Sequence, residues 1–196
     1  MPDEHGFNRR KLLTALAGLT LVSATLPKAL ANTESHSKNS RILVAYFSRS
    51  GSTKVIAGVI HRNLHTDLFV IKPEIAYPED YFQTVEQAQT ERQQAIKPAI
   101  KNNVINLEYY QTIYLGFPIW GTSIPPVVQT FLSTHNFTNK KLIPFITHGG
   151  YGKGDSEDVL AELAPLAQRV TPLVIECGQE RRTTEIVIGW LASSVS

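Results

Sequence analysis

The chain contains a single cysteine, no block of like charge and no apolar run of membrane-spanning length. Because Cys177 is the only cysteine, an intrachain disulfide is excluded. Its place after Val174, Ile175 and Glu176 predicts a buried, inert thiol at the end of a strand. The lack of a basic patch argues against a nucleic acid as partner, and the lack of an acidic block argues against a strongly charged one. An apolar content of 42% excludes general disorder.

The first 31 residues have the composition of an export signal. A basic segment, Asn8–Leu13, leads into an apolar stretch over residues 12–26. That stretch is too short, and too rich in Thr, Ser and Gly, for a transmembrane helix. The small residues at Ala29–Ala31 supply a cleavage site. We therefore predict a signal peptide over residues 1–31, a polar linker over 32–40 and one domain over 41–196.

Paired arginines, Arg9 and Arg10, indicate the twin-arginine export route, and Lys28 just before the cleavage site is also typical of it. Asn8 and Leu12 depart from the residues usual in that signal, so a Sec signal remains the alternative. We expect an exported, periplasmic protein with no stable membrane span after signal removal. The signal holds four of the 19 basic and two of the 17 acidic side chains, so the remaining chain carries 15 of each.

The rest of the chain alternates short apolar runs with segments of helical periodicity. Five runs predict strands, and they cover residues 42–47, 67–72, 112–117, 141–147 and 171–177. Strands separated by helices need crossover connections, which produce a parallel sheet with helices on both faces. The sequence therefore predicts an α/β protein with a doubly wound, five-stranded parallel sheet. Ligands of such sheets bind beyond the carboxyl ends of the strands.

The turn after the first strand has the composition of a phosphate site. Its residues are Ser48, Arg49, Ser50, Gly51, Ser52 and Thr53. A helical pattern begins at Lys54, and the unpaired N–H groups and dipole of a helix start attract an anion. The four hydroxyls can add hydrogen bonds, and Gly51 lets the backbone come close. The alternative is an ordinary N-capped turn. Arg49 and Lys54 flank the turn, either at the phosphate or in solvent.

Two further loops of unusual composition follow the third and fourth predicted strands. The first contains Pro118, Ile119, Trp120, Gly121 and Thr122, and the second contains His148, Gly149, Gly150 and Tyr151. The glycine spacing in the second loop does not fit a dinucleotide-binding fingerprint. No aspartate ends the first strand, which excludes a phospho-acceptor receiver domain. Trp120 is either a ring that contacts a ligand or a core residue. Tyr151 is either a ring that contacts a ligand or an aromatic side chain that the glycine-rich loop exposes for another reason.

The three loops together resemble those of the flavodoxins. Ser48-x-Ser50-Gly51-x-Thr53 is similar to the flavodoxin phosphate loop, and Gly116–Thr122 with Pro125-Pro126 resembles the flavin loop. The resemblance covers residues 41–192 and implies the sheet order 2-1-3-4-5. It also implies that the chain binds FMN, with the loop residues named above as the binding residues.

The resemblance further implies particular contacts to the flavin ring. Trp120 would stack on one face, Tyr151 would cover the other, and Gly121 would hydrogen-bond N5 through a peptide that glycine can flip at little cost. His148 would reach flavin O2 or a substrate, or else be satisfied by backbone.

Electron-transfer flavodoxins are strongly acidic around the flavin, and this sequence departs from that pattern. Thr122 and Ser123 follow Gly121, and Lys153 lies in the opposing loop. Because a carboxylate near the ring opposes a negative charge on it, we expect the second electron to be accepted more readily here.

Three functions remain open from the sequence. The first is an exported FMN protein that passes electrons to or from a redox partner protein. The second is an FMN-dependent reductase of quinones or similar small electron acceptors. The third is a domain that retains the fold without flavin.

Overall fold

The computed structural model describes residues 41–178 and 180–194. The predicted signal peptide and linker lie outside these residues. The strands are β1 (Ile42–Tyr46), β2 (Asp67–Val70), β3 (Thr112–Pro118), β4 (Lys141–His148), β5 (Gln168–Arg169) and β6 (Leu173–Glu176). The helices are α1 (Ser52–Leu64), α2 (Tyr81–Gln93), α3 (Pro126–Thr134), α4 (Ser156–Leu163) and α5 (Glu180–Ser194). A short 3₁₀ helix at Leu107–Tyr109 precedes β3.

All the strand pairs are parallel, and the sheet order is β2-β1-β3-β4-β5, with β6 also paired to β4. The predicted doubly wound α/β fold and the order 2-1-3-4-5 are confirmed. Long connections between parallel neighbours explain why a helix follows each central strand.

The edge of the sheet differs from the prediction of one strand over residues 171–177, because it consists of two short pieces. Leu142 pairs with Arg169, but Phe145 pairs with Leu173. The edge chain therefore contains one more residue than β4 over the same interval. Pro144 and Pro172 both lie in this interval and have no N–H to donate, so the ladder is interrupted there.

Two apolar clusters fill the spaces on the two faces of the sheet. One cluster joins the sheet to α3 and α4 and includes Phe117, Phe131 and Leu160. The other joins the sheet to α1 and α5 and includes Ile56 and Val187. These side chains are almost fully buried, and each contributes roughly 1.5–3 kcal/mol through removal of apolar surface from water.

Helix α2 is held differently from the other helices. Its buried residues are Thr84, Ala88 and Glu91, none of which is a large apolar side chain. Asp80 caps its start by accepting a hydrogen bond from the Gln83 N–H at 2.9 Å. Within residues 41–178 and 180–194, no helix has the length and apolar character needed to cross a membrane.

Candidate functional site

A cavity of about 530 Å³ lies at the carboxyl ends of β1, β3 and β4, where the sequence predicts a ligand site. All three predicted loops line it. The predicted residues in its lining are Ser48, Arg49, Ser50, Thr53, Pro118, Ile119, Trp120, Gly121, Thr122, His148, Gly149 and Tyr151. Gly51 and Ser52 line an adjacent cavity of about 420 Å³, and Gly150 lines neither.

We call the end of the cavity beside the start of α1 the phosphate end, because the sequence predicts a phosphate there. Gly51 is the N-cap residue, with φ of 100°, and no side chain caps the helix. The Ser48 hydroxyl instead accepts a hydrogen bond from the Gly51 N–H at 3.1 Å. The structure therefore differs from the alternative of a side-chain-capped turn. The first N–H groups of α1, which have no intrahelical acceptor, remain available to an anion.

Thr53 has a structural contact that the sequence did not reveal. Its hydroxyl lies 2.8 Å from the hydroxyl of Thr147 at the end of β4, and both side chains are buried. Thr147 also lines the cavity. This hydrogen bond fixes the start of α1 against β4, so the Thr53 hydroxyl positions the phosphate end as well as lining it.

Arg49 extends from the phosphate turn to the start of α2. Its guanidinium donates to the Glu79 carbonyl at 3.2 Å and lies 5.7 Å from the centroid of the Tyr81 ring. That distance is within the range of cation–π attraction. Arg49 therefore joins the phosphate turn to α2, whereas Lys54 is exposed and lies outside the cavity lining.

Trp120 is half-buried, with part of the indole in the core and part at the cavity. Its ring meets Tyr77 edge-on at a centroid distance of 4.8 Å and Phe47 at 5.2 Å. These two supporting rings were not among the predicted site residues. The indole is thus fixed by aromatic neighbours on the core side while it also lines the cavity.

The turn after Trp120 is closed by two backbone hydrogen bonds. Trp120 N–H donates to the Ser123 carbonyl at 3.0 Å, and Ser123 N–H donates to the Trp120 carbonyl at 3.2 Å. Gly121 has φ of 65°, as in type II′ turns, and Thr122 is not in the left-handed region.

The loop before α4 contacts this turn and holds it in place. Asp155 N–H donates to the Thr122 carbonyl at 2.9 Å, and a Cβ at Gly154 would overlap that carbonyl. Flipping the Gly121–Thr122 peptide would bring the β-branched Thr122 to positive φ, which is strongly disfavoured. The expectation of an easily flipped peptide at Gly121 is therefore not supported by the surrounding contacts.

Helix α2 forms a wall of the cavity, which the sequence reasoning missed. Its lining residues are Tyr81, Thr84, Val85, Ala88 and Arg92, which share one helical face. Arg92 follows Tyr81 by eleven positions, which is about 16 Å along a helix, so this face runs from the phosphate turn to the Trp120 loop. The signal in the sequence was this helical spacing of small and apolar residues within an otherwise polar segment.

A buried carboxylate on α2 supports Trp120 indirectly. Glu91 is 6% exposed and accepts hydrogen bonds from the Tyr77 hydroxyl and the Gln87 amide, both at 2.8 Å. Burial, and then the bond to Glu91, raise the pKa of Tyr77 far above its ordinary value. Tyr77 therefore stays protonated as the donor to Glu91 while its ring contacts Trp120.

The loop after β4 supplies the opposite side of the cavity. The Nδ1 atom of His148 accepts a hydrogen bond from the Gly150 N–H at 3.1 Å, so backbone satisfies one ring nitrogen. Tyr151 is 78% exposed, which leaves its ring free of the core.

Cys177 is exposed and lines the cavity, so the prediction of a buried thiol is wrong. The edge strand ends one residue before it, and its side chain lies beyond the core.

The cavity is positively charged. Among the described residues, its lining includes Arg49 and Arg92 and no carboxylate. Lys153, which was expected to supply positive charge, forms an exposed ion pair with Glu157 and does not line the cavity. Within the same described ranges, no group of three or more His, Cys, Asp or Glu lies together to hold a metal ion.

Solved structures of other proteins are similar to this chain, among them the following three. A candidate flavoprotein from Bacteroides eggerthii is 29% identical, with a TM-score of 0.69 over 81% of this chain and 99% of the other. A candidate flavoprotein from Bacteroides uniformis is 26% identical, with a TM-score of 0.67 over 77% and 99%. A flavoprotein in complex with FMN from Lactobacillus acidophilus is 23% identical, with a TM-score of 0.59 over 68% and 91%, and shows the fold alone.

No curated protein matches the sequence. The sequence model of the family described as Flavodoxin matches residues 41–191, which include all three loops of the cavity. This match supports the predicted cofactor, FMN. By its sequence and its sheet order, the chain belongs to the flavodoxin family.

Proposed function

We propose that this chain is an FMN-binding redox protein that exchanges electrons with a partner protein. The observation that carries the proposal is a cavity that extends from Ser50 and Thr53, beside the uncapped start of α1, to the Trp120 loop. When bound, FMN supplies reversible transfer of one or two electrons. The protein residues bind it, orient it and set the charge around it.

The residues present fit FMN at both ends of the cavity. The phosphate is an anion, and the start of α1 offers backbone N–H donors, a helix dipole and the hydroxyl of Ser50. The ring is a wide aromatic plate, and the rings of Trp120 and Tyr151 both line the other end. Gly121 and Gly149 add no side chain between backbone and ligand.

The surface beside the cavity supports exchange with a protein. Tyr81 and Phe82 are 60% and 76% exposed and touch edge-on with centroids 5.5 Å apart. Tyr81 and the exposed Tyr151 both line the cavity, so exposed aromatic side chains lie beside it. Exposed apolar surface beside a redox site is suited to contact with a partner.

A second candidate function is the reduction of quinones or similar small acceptors. It is favoured by the absence of carboxylates from the described lining and by Arg92 within it. Such surroundings favour a negatively charged reduced ring, from which two electrons leave together. The fixed turn at Gly121 also supports this alternative, because it opposes a peptide rearrangement between one-electron steps.

We also propose that the protein is exported to the periplasm by the twin-arginine route. The proposal rests on Arg9-Arg10 and on the advantage of loading FMN before export. Replacing both arginines with lysine should leave precursor inside the cell, measured by fractionation. A cytoplasmic reporter protein controls for leakage, and normal export of the variant would indicate a Sec signal instead.

The experiment that tests the proposed function begins with protein purified under conditions that retain the cofactor. A yellow protein that releases FMN on denaturation, identified by its mass, is the expected result. FAD, or a colourless protein that takes up no added FMN, would refute the proposal. Chemically reduced protein is then mixed with a small quinone without any protein partner. Rapid oxidation favours the reductase, whereas slow oxidation favours the electron carrier.

A further inference from the structure

Arg92 places a positive charge at the end of the cavity that Trp120 and Gly121 line, which we call the ring end. It lies on α2, is half-buried, and donates from Nη1 to the Trp120 carbonyl at 3.3 Å. Its Nη2 lies against Gly121, since a Cβ there would come within 2.8 Å of that nitrogen. The guanidinium is therefore in contact with both residues of the turn that carries the predicted flavin contacts.

No described carboxylate neutralises this charge at the cavity. Among the described residues, the Arg92 guanidinium has one hydrogen-bond acceptor, the Trp120 carbonyl, and it forms no ion pair. Glu91 is adjacent in sequence but lies outside the cavity lining. Both carboxylate oxygens of Glu91 already accept hydrogen bonds, one from Tyr77 and one from Gln87. Arg92 can therefore act electrostatically on whatever the ring end binds.

A purely structural role would not require an arginine. The contact with Trp120 is one hydrogen bond to a neutral carbonyl, which the amide of a glutamine can also make. The long apolar stem of arginine can pack against the loop, and methionine reproduces that. What only arginine or lysine provides at this position is a permanent positive charge.

We propose that Arg92 stabilises negative charge on the ring end of the ligand, so that the protein binds reduced, anionic FMN more tightly than oxidised FMN. This inference rests on the proposed binding of FMN. The balance is two electrons and one proton taken up by oxidised FMN to give the anion, whereas a second proton gives the neutral reduced form. Arg92 favours the product with one proton because it offsets the remaining charge.

The test measures two quantities for wild-type protein and for Arg92→Gln, Arg92→Lys and Arg62→Gln. The first is the Kd for oxidised FMN, from fluorescence quenching. The second is the two-electron midpoint potential from an electrode titration across a range of pH. Arg62→Gln is a matched control, because Arg62 is also a basic residue in the last turn of a helix but does not line the cavity.

We expect Arg92→Gln to reduce the preference for reduced over oxidised FMN by about 10- to 100-fold, the usual range for a charge-assisted contact. Each tenfold change corresponds to about 30 mV for a two-electron couple. The pH at which the reduced form gains its second proton should rise. Arg92→Lys should retain most of the preference, and Arg62→Gln should match wild type.

Equal potentials in wild type and Arg92→Gln, with FMN bound to both, would refute the role of Arg92 while leaving FMN binding intact. Absence of FMN binding by the wild type would refute the proposed function and this inference together. If Arg92→Gln does not fold, the two-electron midpoint potential of the wild-type protein, compared with that of free FMN, tests the proposal by itself. A potential at or below that of free FMN means that oxidised FMN binds at least as tightly, which contradicts the proposal.

Discussion

The two ends of the cavity are built in different ways. The phosphate end comes almost entirely from one continuous segment, Ser48–Thr53, at the start of α1. The ring end combines Trp120 with residues from α2 and from the loop before α4. A site formed by one continuous segment can be recognised from the sequence. A site assembled from distant segments depends on tertiary contacts, and these contacts suggest how to disturb one end without the other.

The largest effect is expected from Gly154→Ala, which should damage the ring end. The new Cβ would overlap the Thr122 carbonyl, and Gly154 has φ of 55°, so strain and overlap together should cost about 3 kcal/mol or more of the free energy of unfolding. Gly152→Ala is the control, because Gly152 has φ of 68° but no atom within 4 Å of a new Cβ. It should lose about 1–2 kcal/mol. Equal losses in urea unfolding would show that Gly154 does not fix the turn.

Tyr77→Phe should weaken the support of the ring end by a smaller amount. It keeps the ring against Trp120 but leaves the buried Glu91 with one partner fewer, at a cost of about 1–3 kcal/mol. Tyr109→Phe alters an exposed tyrosine and should change the free energy of unfolding by less than about 0.5 kcal/mol. Affinities for FMN and riboflavin should fall together, because the phosphate end is untouched. A selective loss of FMN affinity would contradict this division of the cavity.

Ser50→Ala should have the opposite selectivity. Removing a hydroxyl at the phosphate end should weaken FMN binding about tenfold, as expected for a charge-assisted hydrogen bond, and leave riboflavin binding unchanged. Ser50 is preferable to Thr53 for this test because the Thr53 hydroxyl also contacts Thr147. Ser133→Ala, at the far end of α3, is the control. Equal losses for FMN and riboflavin would mean that Ser50 does not contact the phosphate.

The smallest effect is a pH dependence far from either end of the cavity. His135 follows α3, and its Nε2 accepts a hydrogen bond from the Val104 N–H at 3.1 Å. Burial lowers the pKa of His135 below its ordinary value of 6.5. The neutral imidazole is therefore the stabilised form, and its contribution is present above pH 6.5 and is lost as the pH falls through the lower folded pKa.

Comparing urea unfolding of wild type and His135→Gln at pH 7.5 and 5.5 isolates this contribution. The difference in stability between the two proteins should be smaller at pH 5.5, and FMN affinity should be the same for both at pH 7.5. A difference that grows at the lower pH would contradict the assignment of a neutral histidine.

Most of the fold could be predicted from the local pattern of apolar and polar residues. Most of the features that could not be predicted depend on contacts between residues distant in the sequence. Helix α2 spans Tyr81–Gln93, and the sequence did not show that one of its faces lines the cavity. The divided edge strand depends on Pro144 and Pro172 lying in the same interval of two neighbouring strands, which no single segment reveals. Arg92 was overlooked for the same reason, since only tertiary packing brings it to Gly121.

The most direct measurement is amide hydrogen exchange of the purified protein in three samples, one without ligand, one with FMN and one with riboflavin. FMN should protect the amides at the start of α1 and those of residues 118–123, whereas riboflavin should protect only the second group. If amide exchange at the start of α1 is slowed by FMN but not by riboflavin, the phosphate of FMN binds there. Equal protection by the two ligands at α1, or no protection at either region with FMN bound, would contradict a cavity with a phosphate end and a ring end.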